Sequence, residues 1–283
     1  MTVRTRAVLG AAVALTMVAG LGLYLGLRHW DGVLPLPLGR ACEVRAQGTV
    51  TLTAEQMANA ATIAAVGVRR GIPERGVVVA LATAYQESSL ENLAGGDRDS
   101  VGLFQQRPST GWGTAEQIRD PRYAARKFYD ALRKVRGWEQ MRVTDAAQAV
   151  QRSAFPEAYE KWADESTVLA RALLGRAGGA VACTVPGRPA QRGPAASAAL
   201  GRALTLDWGD VNTTTGSSGV SVPAPDTSAG WRYAHWLVAH ASGHGVQRVR
   251  FAGQEWTARA GRWSGTDSPD TATRVVAEVF AHA

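Results

Sequence analysis

The chain is poor in cysteine: its 283 residues hold two, Cys42 and Cys183. A disulfide-dense scaffold is thereby excluded. No histidine stands between the two cysteines, so zinc sets of the Cys/His type lack donors there, and no metal or other cofactor is expected. Charged residues make up 19% of the chain, and no Lys/Arg run is interleaved with aromatics. The net charge of +7 then reads as a diffuse positive surface suited to polyanions in general, with no nucleic-acid partner expected. Internal repeats are lacking as well.

Long apolar runs are scarce, and the exception lies at the N-terminus. Residues 7–27 carry no charge; Arg4 and Arg6 precede them, and Arg28 and His29 follow. Such a run spans a hydrocarbon core as a helix; it is longer than the usual signal-peptide core and no cleavage site is obvious, so a removed signal peptide is the alternative. The expectation is a single-pass protein of the cell membrane, with the cytoplasmic tip and anchor over 1–30, the N-terminus cytoplasmic and the remainder extracytoplasmic. In an exported chain an isolated cysteine pair reads as a disulfide. A Cys42–Cys183 bond restricts the unfolded chain by about 4–5 kcal/mol in the loop-entropy model. Two buried free thiols are the alternative.

Residues 31–48, with Pro and Leu alternating in DGVLPLPLGRA, read as a tether. Thr53 with Gln56 forms a capping box that starts a helix near Ala54, stopped at Gly71. Pro73 opens the next helix, whose residues 77–84 are apolar on every face and belong at a domain centre. Residues 92–114 read as loop with a short hairpin around VGLFQ. Asp120-Pro121 opens a further helix, Thr144 caps another, and Pro156 begins a last one that ends at Gly175. The main domain, 49–183, is therefore mainly α. Residues 184–228 read as a Pro/Ala/Gly-rich linker. Residues 229–283 read as a small α+β accessory domain: a helix over 231–241, strands over 247–251, near Trp256 and over 273–280. Its Trp231, Trp236, Trp256 and Trp263 read as a compact core, with an aromatic binding platform as the alternative. His235 and His240 are five apart, a poor spacing for two ligands on one helix face.

One carboxylic acid stands out in this frame. Glu87 ends the apolar helix, and the apolar run before it and the negative helix end both disfavour its anion. An acid kept protonated is what proton donation to a leaving oxygen requires. The plain alternative is a solvated glutamate at a helix end. Asp97 and Asp99, in the loop GGDRDS, are the available second carboxylates, and ordinary turn chemistry explains them equally well.

Glu87-Ser88 followed by Gly102-Leu103-Phe104-Gln105 resembles the Glu-Ser…Gly-Leu-(Met/Phe)-Gln pair of soluble lytic transglycosylases and goose-type lysozymes. The likeness runs through Asp120-Pro121 and through residues 146–158, AAQAVQRSAFPEA, and covers about residues 50–176. It implies a helical lysozyme-like domain between the membrane helix and the α+β domain. By this resemblance Glu87 is the catalytic acid/base, Ser88 helps orient its surroundings, and Gln105 contacts substrate. Where the family has Tyr-Asn-Ala-Gly, this chain has Val150-Gln151-Arg152-Ser153. Gln151 supplies the amide, and Tyr159 is the candidate to fill the tyrosine's space. Trp112 is a candidate for stacking on a sugar ring, or else a loop anchor.

The implied activity is cleavage of the MurNAc–GlcNAc β-1,4 bond of peptidoglycan glycan strands, leaving 1,6-anhydro-MurNAc ends. Hydrolysis using Asp97 or Asp99 and a non-catalytic wall-binding scaffold are the rival readings. A secretion or conjugation apparatus is the partner such an enzyme would serve.

Overall fold

The computed structural model describes residues 41–185, 189–266 and 273–281. Among the described residues, nine α-helices and nine strands follow one another in chain order. β1 (Cys42–Arg45) and β2 (Thr49–Leu52) form a hairpin. Helices α1 (Ala54–Arg69), α2 (Glu74–Ser88), the short α3 (Ala115–Ile118), α4 (Pro121–Leu132), α5 (Val143–Gln151) and α6 (Ala163–Leu173) come next. β3 (Val181–Cys183) returns to pair with β1, giving the order β2-β1-β3. Then follow α7 (Gly193–Trp208), β4 (Thr214–Thr215), β5 (Gly219–Pro223), α8 (Thr227–Ala239) and the short α9 (Ala241–His244). Strands β6 (Val246–Phe251), β7 (Gln254–Thr257), β8 (Trp263–Gly265) and β9 (Arg274–Val279) complete an antiparallel sheet of order β4-β5-β9-β6-β7-β8.

The fold class is thus corrected to a mixed α+β fold with two sheets. The single-pass membrane topology is corrected too: among the described residues no helix is long and apolar enough to cross a membrane. The run at 7–27 that motivated it lies outside the described residues, so neither the anchor nor the cell-membrane localisation is carried further.

Local signals set the helix bounds. Thr53 and Gln56 close the capping box of α1, each side chain bonding the other's backbone N–H. Asp120 caps α4, with Pro121 in its first turn. Three bounds differ from expectation. Thr144 lies inside α5, whose cap residue is Arg142, and its hydroxyl donates to the Pro156 carbonyl instead. After Pro156 the chain makes turns and a 3-10 segment, Glu160–Trp162, before α6 begins at Ala163. The tether's last residues, from Cys42, are strand β1, because β3 supplies a partner 141 residues away.

α2 is the central element: Gly76 to Tyr85 are all buried, and the helix packs on α1, α4, α5 and α6. α1 is buried from Ala60 through Gly67 and also touches α7 and α8. It is a shared wall, which is why alanine and small residues fill it. Arg40–Ala283 consequently forms one compact unit. The stretch read as linker holds α7, which buries Ala196, Leu200, Ala203 and Leu204 at helical spacing. Trp236 and Trp256 are fully buried, and Trp231 nearly so. The indole N–H groups of Trp256 and Trp263 donate to the Cys183 and Val181 carbonyls of β3, at 3.1 and 2.8 Å. These rings are core, and they seal a sheet edge. The Cys42–Cys183 disulfide is formed, and it joins β1 to β3 at a paired position.

Two buried histidines fasten α8. The His235 Nε2 accepts from the Ala180 N–H at 3.0 Å, and its Nδ1 faces the Ala172 carbonyl at 2.8 Å. That pattern fits a neutral ring with the proton on Nδ1. Burial pushes both His235 and His240 down to about 4. Because the folded-state value lies below the unfolded one, the unfolded chain takes up protons first as the pH falls. The contribution is whole above about 6.5 and is lost on the way to 4, on the order of 3 kcal/mol per ring. The melting temperature should therefore fall between pH 6.5 and 5, before most carboxylates titrate. A melting temperature flat across that window in calorimetry would contradict the neutral, buried rings.

Candidate active site

The site is built where α2 ends. Ser89 and Leu90 take left-handed backbone angles, φ 55° and 63°. The Leu90 N–H reaches back to the Ala84 carbonyl and the Ser89 N–H to that of Tyr85, closing the helix with a left-handed cap. Leu90 is fully buried, and that burial holds a conformation glycine would otherwise supply. Glu87 is left half-buried in the last turn, with the fully buried stretch of α2 behind it.

The loop that follows doubles back onto the helix end. Val101 and Gln106 form an antiparallel bridge around a turn in which Gly102 has φ 78°. A Cβ at Gly102 would lie 2.8 Å from the Ile118 carbonyl, so glycine serves both angle and space. Leu103 and Phe104 point inward and are fully buried, Phe104 stacking on Phe128 of α4 at 4.8 Å. Their carbonyls are held from two sides. The Ser88 hydroxyl bonds the Leu103 carbonyl at 2.8 Å, and the Gln151 amide donates to that of Phe104 at 2.8 Å. Ser88 and Gln151 thus fix the loop, and Gln105 follows with φ 46° and its amide on the Gly102 carbonyl. Gly96 leaves room for that side chain, since a Cβ there would overlap Gln105 Oε1.

A third segment grips α2 from the far end of the helical half. Tyr159 is fully buried, and its hydroxyl donates to Glu87 Oε1 at 2.7 Å. Three residues on, the Trp162 indole donates to Gln86 Oε1 at 3.0 Å and stacks on Tyr85, centroids 4.9 Å apart. Three consecutive residues of α2 are therefore held by one turn. Burial, then the charge of Glu87, raises the Tyr159 phenol, keeping it a donor. Sequence reasoning did not select Trp162. Its signal was the i, i+3 spacing from Tyr159 beyond the Pro156 turn.

The two loop carboxylates differ. The Asp97 side chain is 91% exposed and has Arg98 at 3.9 Å. Asp99 accepts from the Ser109 backbone N–H at 2.7 Å, from Arg107 Nε at 2.9 Å and from the Ser109 hydroxyl at 3.0 Å. Those bonds hold its carboxyl well below the usual range, the Ser109 N–H foremost. Its acceptor positions tie the loop together. Trp112 is half-buried, with its carbonyl accepting from the Tyr123 hydroxyl at 3.1 Å. It shares the wall of a ≈ 650 Å³ cavity with Gln105 and Gln151. A second cavity of ≈ 400 Å³ is walled by Tyr85, Ser89 and Trp162 among others. Glu87 lies in the wall of neither.

Of the eight non-glycine residues with positive φ among the described residues, five fall in and around this site: Ser89, Leu90, Arg98, Gln105 and Arg152. Backbone strain of this kind gathers where a ligand must be met. Chemically, the arrangement offers one carboxyl group with a fixed orientation and one oxygen already hydrogen-bonded. Set against protein-family models and against curated proteins, the chain matches none.

Proposed function

We propose that the chain is a peptidoglycan lytic transglycosylase cleaving the MurNAc–GlcNAc β-1,4 bond, with Glu87 as acid and then base. The observation that carries this reading is the hydrogen bond from Tyr159 to Glu87, 72 residues apart in sequence, beside a loop clamped by Ser88 and Gln151. Tyr159, just past the resembling segment 146–158, bonds the Glu87 carboxyl group, and Ser88 and Gln151 bond the resembling loop 102–105.

In this mechanism Oε1 accepts from Tyr159, so the acid proton belongs on Oε2. Glu87 gives that proton to the glycosidic oxygen as the C1–O bond breaks. The carboxylate that results, steadied by the same Tyr159 hydroxyl, then takes the proton of the substrate's 6-hydroxyl as that oxygen bonds C1. The ring closes, no water is consumed, and Glu87 ends protonated as it began. Asp99 favours this route over hydrolysis. A hydrolytic nucleophile or base needs free lone pairs, and three donors from Ser109 and Arg107 already occupy most of those of Asp99.

Mass spectrometry of muropeptides released from purified sacculi tests the reading. Fragments 18 Da lighter at the MurNAc end, resistant to borohydride, are expected, because ring closure replaces hydrolysis. Reducing MurNAc ends would instead select the hydrolytic route.

A further inference from the structure

The ≈ 650 Å³ cavity lies between the loop 105–112, the outer face of α4 and the C-terminal end of α5. Its wall is cationic. Arg107, Lys127, Lys134 and Arg152 line it, against the single acid Asp130. Asp130 is paired outward with Arg70, and Arg107 with Asp99. Lys134 and Arg152 have no ion-pair partner among the described residues, and Lys127 lies over the Tyr123 ring at 5.7 Å. The surrounding segment, residues 119–136, holds seven basic residues against two acidic. Of these seven, Lys127 and Lys134 line this cavity, whereas Arg122 and Arg126 line a separate one and Arg122 is paired with Asp207. At the rim, Gln105 and Arg152 both have left-handed backbones, φ 46° and 52°, and Trp112 gives the wall an apolar surface.

We propose that this cavity is the subsite for the carboxylate-bearing peptide branch of the glycan strand. Lys127, Lys134 and Arg152 supply the countercharge and Trp112 an apolar wall. The proposal rests on the glycan reading and extends it to the side branch. The geometry favours a branch over the sugar backbone for two reasons. The lactyl carboxyl of MurNAc is amide-linked wherever a stem is attached, so the sugar backbone there is neutral and a wall with three cations outside any ion pair has little to meet on it. The space is also large enough for several amino-acid residues and is lined by Gln105 and Gln151, beside the loop bonded to Ser88, the neighbour of Glu87.

The test is direct binding, with the full chain carrying Glu87→Gln, to three soluble strand preparations: stems with free carboxylates, stems with amidated carboxylates, and stems removed. Exposed ion pairs are individually weak, and two or three together favour the free-carboxylate strand by about five- to tenfold. That ratio should shrink towards one at high salt and collapse to about one in the double variant Lys127→Gln/Lys134→Gln, whose melting temperature is checked alongside. Equal affinity for free and amidated stems, binding to none of the three, or a double variant that keeps the preference overturns the proposal. Because turnover is not measured, failure of Glu87 as the acid is read separately: a stem preference without muropeptide release by the wild-type chain leaves this subsite standing and removes the catalytic reading.

Discussion

Glu87→Gln is expected to lower muropeptide release from sacculi by about 10²–10⁴-fold, the range associated with a positioned general acid/base, while the melting temperature stays within a few degrees. The glutamine has the same shape, and its amide oxygen can accept the 2.7 Å hydrogen bond from Tyr159, so α2 and its loop should hold. What is lost is the transferable proton. Tyr159→Phe separates position from chemistry. It keeps the carboxyl group but frees its orientation, and a smaller loss of roughly tenfold in kcat follows from one misplaced group. Activity of Glu87→Gln within tenfold of wild type would remove Glu87 from the mechanism, since no other carboxylate bonds Tyr159 among the described residues. Equal losses in both variants would make the orientation, and not the proton, the decisive property.

The legible part of this fold lay in signals that act within a few residues. The Thr53/Gln56 box and Asp120-Pro121 each satisfy helix N–H groups at short range, so sequence alone locates α1 and α4. The helix α8 and strands β6, β7 and β9 were legible for the same reason, through apolar runs and the Ala252-Gly253 turn, both residues with positive φ. What escaped depends on distant partners. β1 is four residues long and exists as a strand because β2 and β3 flank it. α7 was hidden by composition: Pro, Gly and Ala suggested linker, although its buried positions recur at helical spacing. At the site, Glu87 and its loop were read from residues, whereas Tyr159 was reached through a family resemblance, and Trp162 was not selected. The i, i+3 spacing pairs Tyr159 with Trp162 but does not say what they meet, because their contacts to α2 span 72 and 76 residues. The membrane reading rested on a terminal segment outside the described residues, among which no helix is long and apolar enough to cross a membrane.

The second large effect is expected far from Glu87, at Asp207. This carboxylate is fully buried in α7 and accepts from the Thr62 hydroxyl of α1 at 2.8 Å, the Trp236 indole of α8 at 2.7 Å and the Arg122 guanidinium of α4. Thr62 has one proton, and the charged acceptor at 2.8 Å outcompetes His240 Nε2 at 3.3 Å. Four helices thus share one anion. Asp207→Ala leaves Arg122 with only the longer contact to Asp120 at 3.9 Å and buries an unpaired indole N–H and hydroxyl. Breaking a buried pair from one side typically costs about 3–5 kcal/mol. For a chain of this size each kcal/mol shifts the melting temperature by about 2–4 °C, so a fall on the order of 10 °C is expected in calorimetry. Removing both partners, Arg122→Met with Asp207→Leu, should cost less than the two single changes added together, because no charge is then stranded. Additive losses, or an Asp207→Ala chain within 1 kcal/mol of wild type, would contradict the shared-anion reading. The same measurement bears on how the halves cooperate. α1 and α4 pack against α2, which carries Glu87, while α7 and α8 pack on the six-stranded sheet. If Asp207 couples them, the wild-type chain melts in one transition, and Asp207→Ala shifts or splits it.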